Sequence, residues 1–225
     1  ELSPLVPRSI IIPISFVLFK PEKQFYDMLR EIIKNDCTIY IFCNCEDSFA
    51  YIKNNFNHIR LNVLTSNKNI GLSSAYQILS NTIHKDGSKY FFIFDQDTII
   101  LPKFFLVKES ITNHLNKDMH TMVQLQSNTN IAKQRTAYLN HPAFIINSGS
   151  IVNINLLNKI GGFPKNFFVD GVDYFISLMS NINGLKVGFL GGDFGLDHTT
   201  IQGDSYISIF GRNFPIRFYG WERIK

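Results

Sequence analysis

The sequence predicts a single α/β domain in which a mixed, mostly parallel sheet carries helices on both faces. Two observations carry that expectation. Short apolar runs alternate with stretches of helical periodicity in βαβα order. No Pro/Gly/Ser-rich linker divides the 225 residues, and 45% hydrophobic against 18% charged residues suits a chain that buries one large core.

The elements follow in order. Ile10–Phe19 is an apolar run of strand length. Pro21 stands where a helix starts, and Phe25, Met28, Leu29, Ile32 and Ile33 repeat at helical spacing through Lys34. Thr38–Cys43 alternates as a second strand, Asp47–Phe56 fits a short helix, and Leu61–Leu64 a third strand. Ser73 is placed to cap a helix carrying Ala75, Tyr76, Ile78, Leu79 and Ile83 that ends near Gly87. The run 89–94 is the next strand, and Pro102 opens another helix. Beyond it the pattern loosens to strands near 119–126 and 143–152, a helix near 171–181 and a strand over Leu185–Leu190.

The run 89–94 ends in Asp95-Gln96-Asp97. Burying unpaired charge is expensive, so two carboxylates closing a buried strand face a cleft, a cation or both. At positions i and i+2 they share one side of an extended strand end and both reach one hard divalent ion. In parallel sheets ligands bind outside the carboxyl ends of the strands, where this pair lies. A solvated acidic turn is the alternative.

Four further segments bear on function. In 67–75, Asn69, Gly71 and Ala75 belong to a polar strand-to-helix turn whose N–H groups could face phosphates or a sugar. In Asn147-Ser148-Gly149-Ser150, Ser148 and Gly149 interrupt apolar neighbours, as where a ligand or a second backbone approaches closely. The stretch 161–173, GGFPKNFFVDGVD, sets Asp170 and Asp173 at a helix start, where capping is the simpler role for Asp170. Asp197-His198 follows the last strand, and a lone histidine is more often a structural residue than a ligand.

In this order, Asn-x-Gly-x-x-x-Ala, strand-DQD, NSGS, GGF-x(5)-VD-x-VD and DH, the segments resemble the inverting family 2 glycosyltransferases, in particular the bacterial rhamnosyltransferase-like branch that builds surface polysaccharides such as O-antigen and capsule. The resemblance runs from about Ile10 to Arg223. It implies a GT-A (Rossmann-like) fold, a dTDP- or UDP-sugar donor, Mn²⁺ or Mg²⁺, and a glycan acceptor that is lipid-linked. Carried over residue by residue, it makes Asp97 the direct metal ligand. Asp95 contacts the ribose or sugar side of the donor or a metal-bound water, and His198 is the C-terminal metal ligand. Asn69, Gly71 and Ala75 match the turn near the donor. Asp173 matches the base that deprotonates the acceptor hydroxyl, with Asp170 as its neighbour and alternative.

Two positions depart from the family pattern. Its Asp-Asn pair after the second strand reads Cys43-Asn44 here, and a thiol cannot replace a carboxylate as acceptor for a base N–H. Asn44, Glu46 or Asp47 is then left to meet the nucleobase. The arginine often found six residues after the base aspartate is Met179.

Residues 1–8 contain Leu5-Val6-Pro7-Arg8, which reads as the remnant of an added protease site; 9–210 form the transferase domain in this division of the chain. Residues 211–225 mix cations with aromatics, as at a membrane interface or a packed domain edge, and read as truncated before membrane-associating elements. Three cysteines without zinc spacing read as reduced thiols. The expected place is therefore the cytoplasm, with peripheral contact at the inner membrane. A net charge of +4 is too small to point to nucleic acid, and none is expected as a partner.

Rivals from other classes stay open. A haloacid-dehalogenase-type phosphatase also sets Asp-x-Asp after a strand, but its threonine four residues beyond the first Asp is Ile99 here. A non-catalytic nucleotide-sugar-binding degenerate transferase is compatible with Cys43 and Met179. No Gly-rich, Arg/Lys-bearing loop of a nucleotidyltransferase and no GxGxxG follows the first strand.

Overall fold

The computed structural model describes residues 12–66, 68–115, 118–127, 137–198, 205–209 and 212–216, with side chains as far as Asp197. The N-terminal half alternates strand and helix as its periodicity dictates. Strands β1 (Ile14–Leu18), β2 (Ile39–Cys43), β3 (Leu61–Thr65) and β4 (Tyr90–Phe94) are joined by helices α1 (Lys23–Ile32), α2 (Glu46–Asn55) and α3 (Gly71–Lys85). There follow β5 (Thr98–Ile100), α4 (Pro102–Ile111), β6 (His120–Leu125), β7 (Tyr138–Asn140), β8 (Ser150–Asn153), α5 (Ile154–Lys159), α6 (Val172–Ile182), β9 (Lys186–Gly191) and β10 (Leu196–His198). A hairpin of β11 (Ser205–Ile209) and β12 (Arg212–Ile216) completes the described chain. None of the described helices is long and apolar enough to cross a membrane.

One eight-stranded sheet has the order β3-β2-β1-β4-β8-β6-β9-β7. The pairs β1–β2, β2–β3, β1–β4 and β6–β9 are parallel, while β8 and β7 run against their neighbours. The sheet is thus mixed and mostly parallel.

Both faces of the central strands are apolar because both are covered. On one face Phe16, Leu18, Phe92 and Phe94 pack with Phe25 and Leu29 of α1, Ile52 of α2 and Phe104 of α4. The Phe104 ring meets Phe92 and Phe94 edge-on, at centroid distances of 5.1 and 5.4 Å. On the other face Phe91, Ile93 and Phe42 pack with Ala75, Tyr76 and Leu79 of α3, Leu157 of α5 and Ile176 of α6. Each fully buried aromatic side chain contributes about 1.5–3 kcal/mol, so this double layer dominates the stability of the domain.

Three expectations need correction. Helix α3 begins at Gly71, and Ser73 lies inside it with its hydroxyl donating to the Pro164 carbonyl, so Ser73 is not a cap. Ile78 points outward, 39% exposed. The expected strand over 143–152 is regular only from Ser150 onward, because the positive φ of Gly149 (74°) cannot continue a strand.

Candidate functional site

The chain leaves β1 toward β2 on one side of the sheet and returns through β4 on the other. That reversal opens a crevice outside the carboxyl ends of β1 and β4, the position at which doubly wound sheets hold ligands. Phe19, Lys20 and the Asp95–Asp97 turn form its rim. An open cleft of about 740 Å³ lies at the other end of the sheet, lined by Arg30, Lys34, Asp36, His58 and Arg60. Its cations are engaged in ion pairs (Arg30–Asp27, Lys34–Glu31 and Arg60–Asp36), so it offers little free charge to a ligand.

The turn carrying the two aspartates is fixed from beneath. The Asp95 N–H donates to Ser148 Oγ (3.1 Å), and the Ser148 and Thr98 hydroxyls hydrogen-bond each other. The Gly149 N–H donates to the Ile93 carbonyl and its own carbonyl accepts from Leu125 N–H, both at 2.9 Å. Gly149 thereby ties β4 to β6. Ser148 is buried, so the close approach expected of the NSGS segment is that of protein backbone: its hydroxyl braces the acidic turn. Gln96 turns the other way. Its Oε1 accepts from Phe19 N–H at 2.9 Å and its Nε2 donates to the Phe19 carbonyl at 3.2 Å.

The Asn69–Ala75 turn is also satisfied within the protein. Ile70 N–H donates to Asn44 Oδ1 (3.2 Å), Gly71 N–H to Asn69 Oδ1 (2.9 Å), and Leu72 N–H to the Phe168 carbonyl (2.5 Å). Asn44 is 4% exposed and its amide also donates to the Gly71 carbonyl at 3.2 Å. The expectation that these amides face a donor's phosphates is therefore not met in this conformation: Asn44 and Asn69 hold the turn itself. Cys43 is buried, and burial pushes its thiol up to about 12, so it offers neither acceptor nor thiolate.

Glycine is required at 71 because φ is 79° and an added Cβ would lie 2.6 Å from the Phe168 carbonyl oxygen. The segment 161–171, which leads into α6, is fastened to α3 at two further points. Ser73 donates to Pro164, and Phe163 N–H donates to Gln77 Oε1 at 2.8 Å.

Asp170 does not cap α6. The cap position is Gly171 (φ 85°), and Asp170 is exposed. Asp173 occupies the first turn of α6 half-buried, with Oδ1 accepting from Tyr174 N–H at 2.9 Å. Burial raises its pKa, the backbone N–H groups oppose that, and the nearby Asp170 charge adds to the rise.

Tyr76 joins the strand-end pair to α6. Its ring is fully buried beside Phe163 (centroids 5.5 Å apart) and its hydroxyl makes no hydrogen bond of regular geometry. Its pKa is raised well above 10 by burial first, then by Asp95, Asp173 and Asp97. Three of the carboxylates singled out in the sequence thus act by their charge on one hydroxyl. Tyr76 reads as an ordinary core residue of an apolar helix face, and nothing in the sequence marks it. Gln96 is likewise unmarked, except by its place between two aspartates.

The antiparallel pair β5–β10 sets residue 198 opposite Thr98 and Asp197 opposite Ile99, which brings the backbone of His198 next to the acidic turn. Its side chain lies outside the described residues, as does the segment 217–225. Among the described residues no three His, Cys, Asp or Glu side chains are arranged to hold a metal ion. Asp95 and Asp97 still present carboxylate oxygens on one turn, a donor type that suits Mn²⁺ or Mg²⁺.

No protein-family model and no curated protein matches the chain in sequence. Solved structures match it in fold. S. aureus TarS 1–349 in complex with UDP-GlcNAc superposes with a TM-score of 0.63 at 13% identity, over 88% of this chain and 62% of that one. GalNAc-T7 with UDP, GalNAc and Mn²⁺ superposes with a TM-score of 0.61 at 11% identity, over 85% of this chain and 44% of that one. A further structure of S. aureus TarS gives 0.63 at 11% identity, over 84% of this chain and 37% of that one. The chain therefore spans between about a third and two thirds of the length of these structures. Its eight-stranded mixed sheet, with the acidic turn at the carboxyl end of β4, is a GT-A fold.

Proposed function

We propose that this chain is a metal-dependent inverting glycosyltransferase, moving a hexosyl unit (rhamnose in the branch it resembles) from a UDP- or dTDP-sugar to a glycan acceptor in surface polysaccharide assembly. The observation that supports this most is the Asp95–Asp97 turn at the carboxyl end of β4, beside the reversal of strand order, with Asp173 near enough for its charge to act on the same buried Tyr76 hydroxyl. The UDP-GlcNAc held by TarS and the UDP and Mn²⁺ held by GalNAc-T7 agree with such a donor and ion.

In this reading Asp97, Asp95 and His198 would hold the divalent ion, which would neutralise charge on the donor's diphosphate. Asp173 accepts the proton of the acceptor hydroxyl, whose oxygen forms the new bond to the anomeric carbon as the bond to the diphosphate breaks. Attack opposite the leaving group inverts the anomeric centre. The raised pKa of Asp173, caused first by burial, makes it a stronger base than a solvated aspartate. Ser148, Gly149, Asn44, Asn69, Gly71 and Ala75 serve the donor indirectly, by fixing the two turns that border it. Asp170 tunes Asp173 by its charge. The acceptor is lipid-linked and the 211–225 segment meets the inner membrane from the cytoplasmic side.

The engaged amides at the start of α3 favour one second reading, a domain that binds the nucleotide sugar without turning it over. Calorimetric titration with UDP, dTDP, GDP and CDP, with and without Mn²⁺, on wild type and Asp97→Ala tests both. Metal-dependent binding of one diphosphate, lost in the variant, supports the donor site. Donor hydrolysis or transfer abolished by Asp173→Ala then separates enzyme from binding module. No binding of any diphosphate sinks both, and phosphate release from an aryl phosphate would revive the phosphatase.

A further inference from the structure

Among the described residues Lys20 is the only non-glycine with a positive φ (47°). The left-handed region crowds Cβ against the backbone, and the following Pro21 disfavours helical angles at position 20 as well. Glycine or asparagine would occupy this turn with less strain, yet the chain keeps a long cation here.

The conformation is imposed from both sides. The Lys20 N–H faces Cys45 Sγ at 3.5 Å, and Asn44 N–H donates to the Leu18 carbonyl at 2.7 Å, tying the end of β1 to the β2–α2 turn. On the other side Gln96 clasps both backbone groups of Phe19. Lys20 is thus locked to the turn that carries Asp95 and Asp97, at the reversal of strand order. Its ammonium lies 5.2 Å from the Phe19 ring centroid, exposed, and enters no ion pair among the described residues. Strain held this firmly at a ligand crevice marks function more often than accident.

We propose that Lys20 is a donor-recognition residue whose ammonium pairs with the diphosphate of the nucleotide sugar across the β1–β4 crevice. The proposal rests on the glycosyltransferase reading. A crevice edged by Asp95 and Asp97, with the charge of Asp173 near enough to act on the same Tyr76 hydroxyl, repels a diphosphate unless cations offset the carboxylates. A divalent ion supplies part of that offset. Lys20 supplies charge from the opposite rim, and its fixed backbone reduces the ordering lost on binding.

The test is calorimetric titration of the whole chain with UDP, dTDP and uridine in the presence of Mn²⁺, for wild type, Lys20→Met, Lys20→Gly and Lys20→Arg. Loss of one charge-assisted contact weakens diphosphate binding about tenfold in the Met and Gly variants, leaves uridine within about twofold, and leaves Arg near wild type. Diphosphate binding in Lys20→Met also becomes less sensitive to salt. Lys20→Gly melts higher than Lys20→Met because it relieves the strain. Wild-type affinity for diphosphate in Lys20→Met, or an equal loss for uridine, overturns the proposal while leaving the transferase reading intact. If wild type binds neither UDP nor dTDP, both fall together.

Discussion

Gln96 and Phe19 are joined by a two-way clasp in which one side-chain amide satisfies both the N–H and the carbonyl of the same residue, at 2.9 and 3.2 Å. The clasp joins the ends of β1 and β4, where the strand order first reverses. It ties the turn that carries the two aspartates to the end of β1. Gln96→Leu removes both hydrogen bonds and leaves Phe19 unpaired, which costs about 1–3 kcal/mol. Chemical denaturation reads that loss. Gln96→Glu keeps the acceptor and loses the donor, and falls between Gln96→Leu and wild type.

Gly71→Ala is more damaging. A methyl group placed 2.6 Å from the Phe168 carbonyl oxygen, on a backbone with φ of 79°, meets rigid main chain rather than a yielding side chain. Strain of this kind destabilises by about 2–4 kcal/mol, and limited proteolysis within 161–171 accelerates as the segment lifts from α3. Gly87→Ala is the control: it also has a positive φ (93°) but open space around it, so it carries the backbone strain without the clash.

Asp173 gives a pH signature. Its folded pKa lies above the unfolded value of 3.8 because burial disfavours the charged form. Between those two values the folded state binds more protons than the unfolded state, so stability falls as pH rises through that window. Asp173→Asn abolishes this dependence and melts higher than wild type at neutral pH. It also lowers transfer by about 10²–10⁴-fold, the usual contribution of a general base. In wild type kcat/KM declines as pH drops through the raised pKa. A variant that is both less stable and fully active at pH 7 would contradict the assignment.

Tyr76→Phe removes a hydroxyl that is buried without a regular partner. The free protein becomes more stable, by about 1 kcal/mol, because an unsatisfied buried polar group is costly. Thermal melts read the gain, and a loss of stability contradicts this account.

Much of this architecture was legible because apolar pattern and burial coincide in the first hundred residues. The run 89–94 alternates Phe92 and Phe94 onto one core with Phe91 and Ile93 onto the other, so a continuous apolar stretch correctly implied a two-sided parallel strand. The three-residue strands β5, β7 and β10 carry no such pattern, since only their partners make them strands. Helix α5, six residues long, falls below any helical period. The start of α3 was misplaced by three residues because its first amides are satisfied by Asn44, Asn69 and Phe168 rather than by a cap at Ser73. The acidic positions were visible from residue type. Their convergence was not, because it depends on Tyr76, whose neighbours are 19 or more residues away in sequence.

The fastening of 161–171 to α3 has a consequence for which acceptors are compatible with the site. The segment leading to Asp173 is gauged against the first two turns of one helix through Gly71, Ser73 and Gln77, while the acidic turn is held separately by Ser148 and by the Gln96 clasp. Helix α3 behaves as one jaw of a caliper. In the proposed reaction, where Asp173 stands relative to the acidic turn depends on that helix before either substrate arrives. Selection for a longer or shorter reach would then act on residues 71–77, none of which needs to touch a sugar.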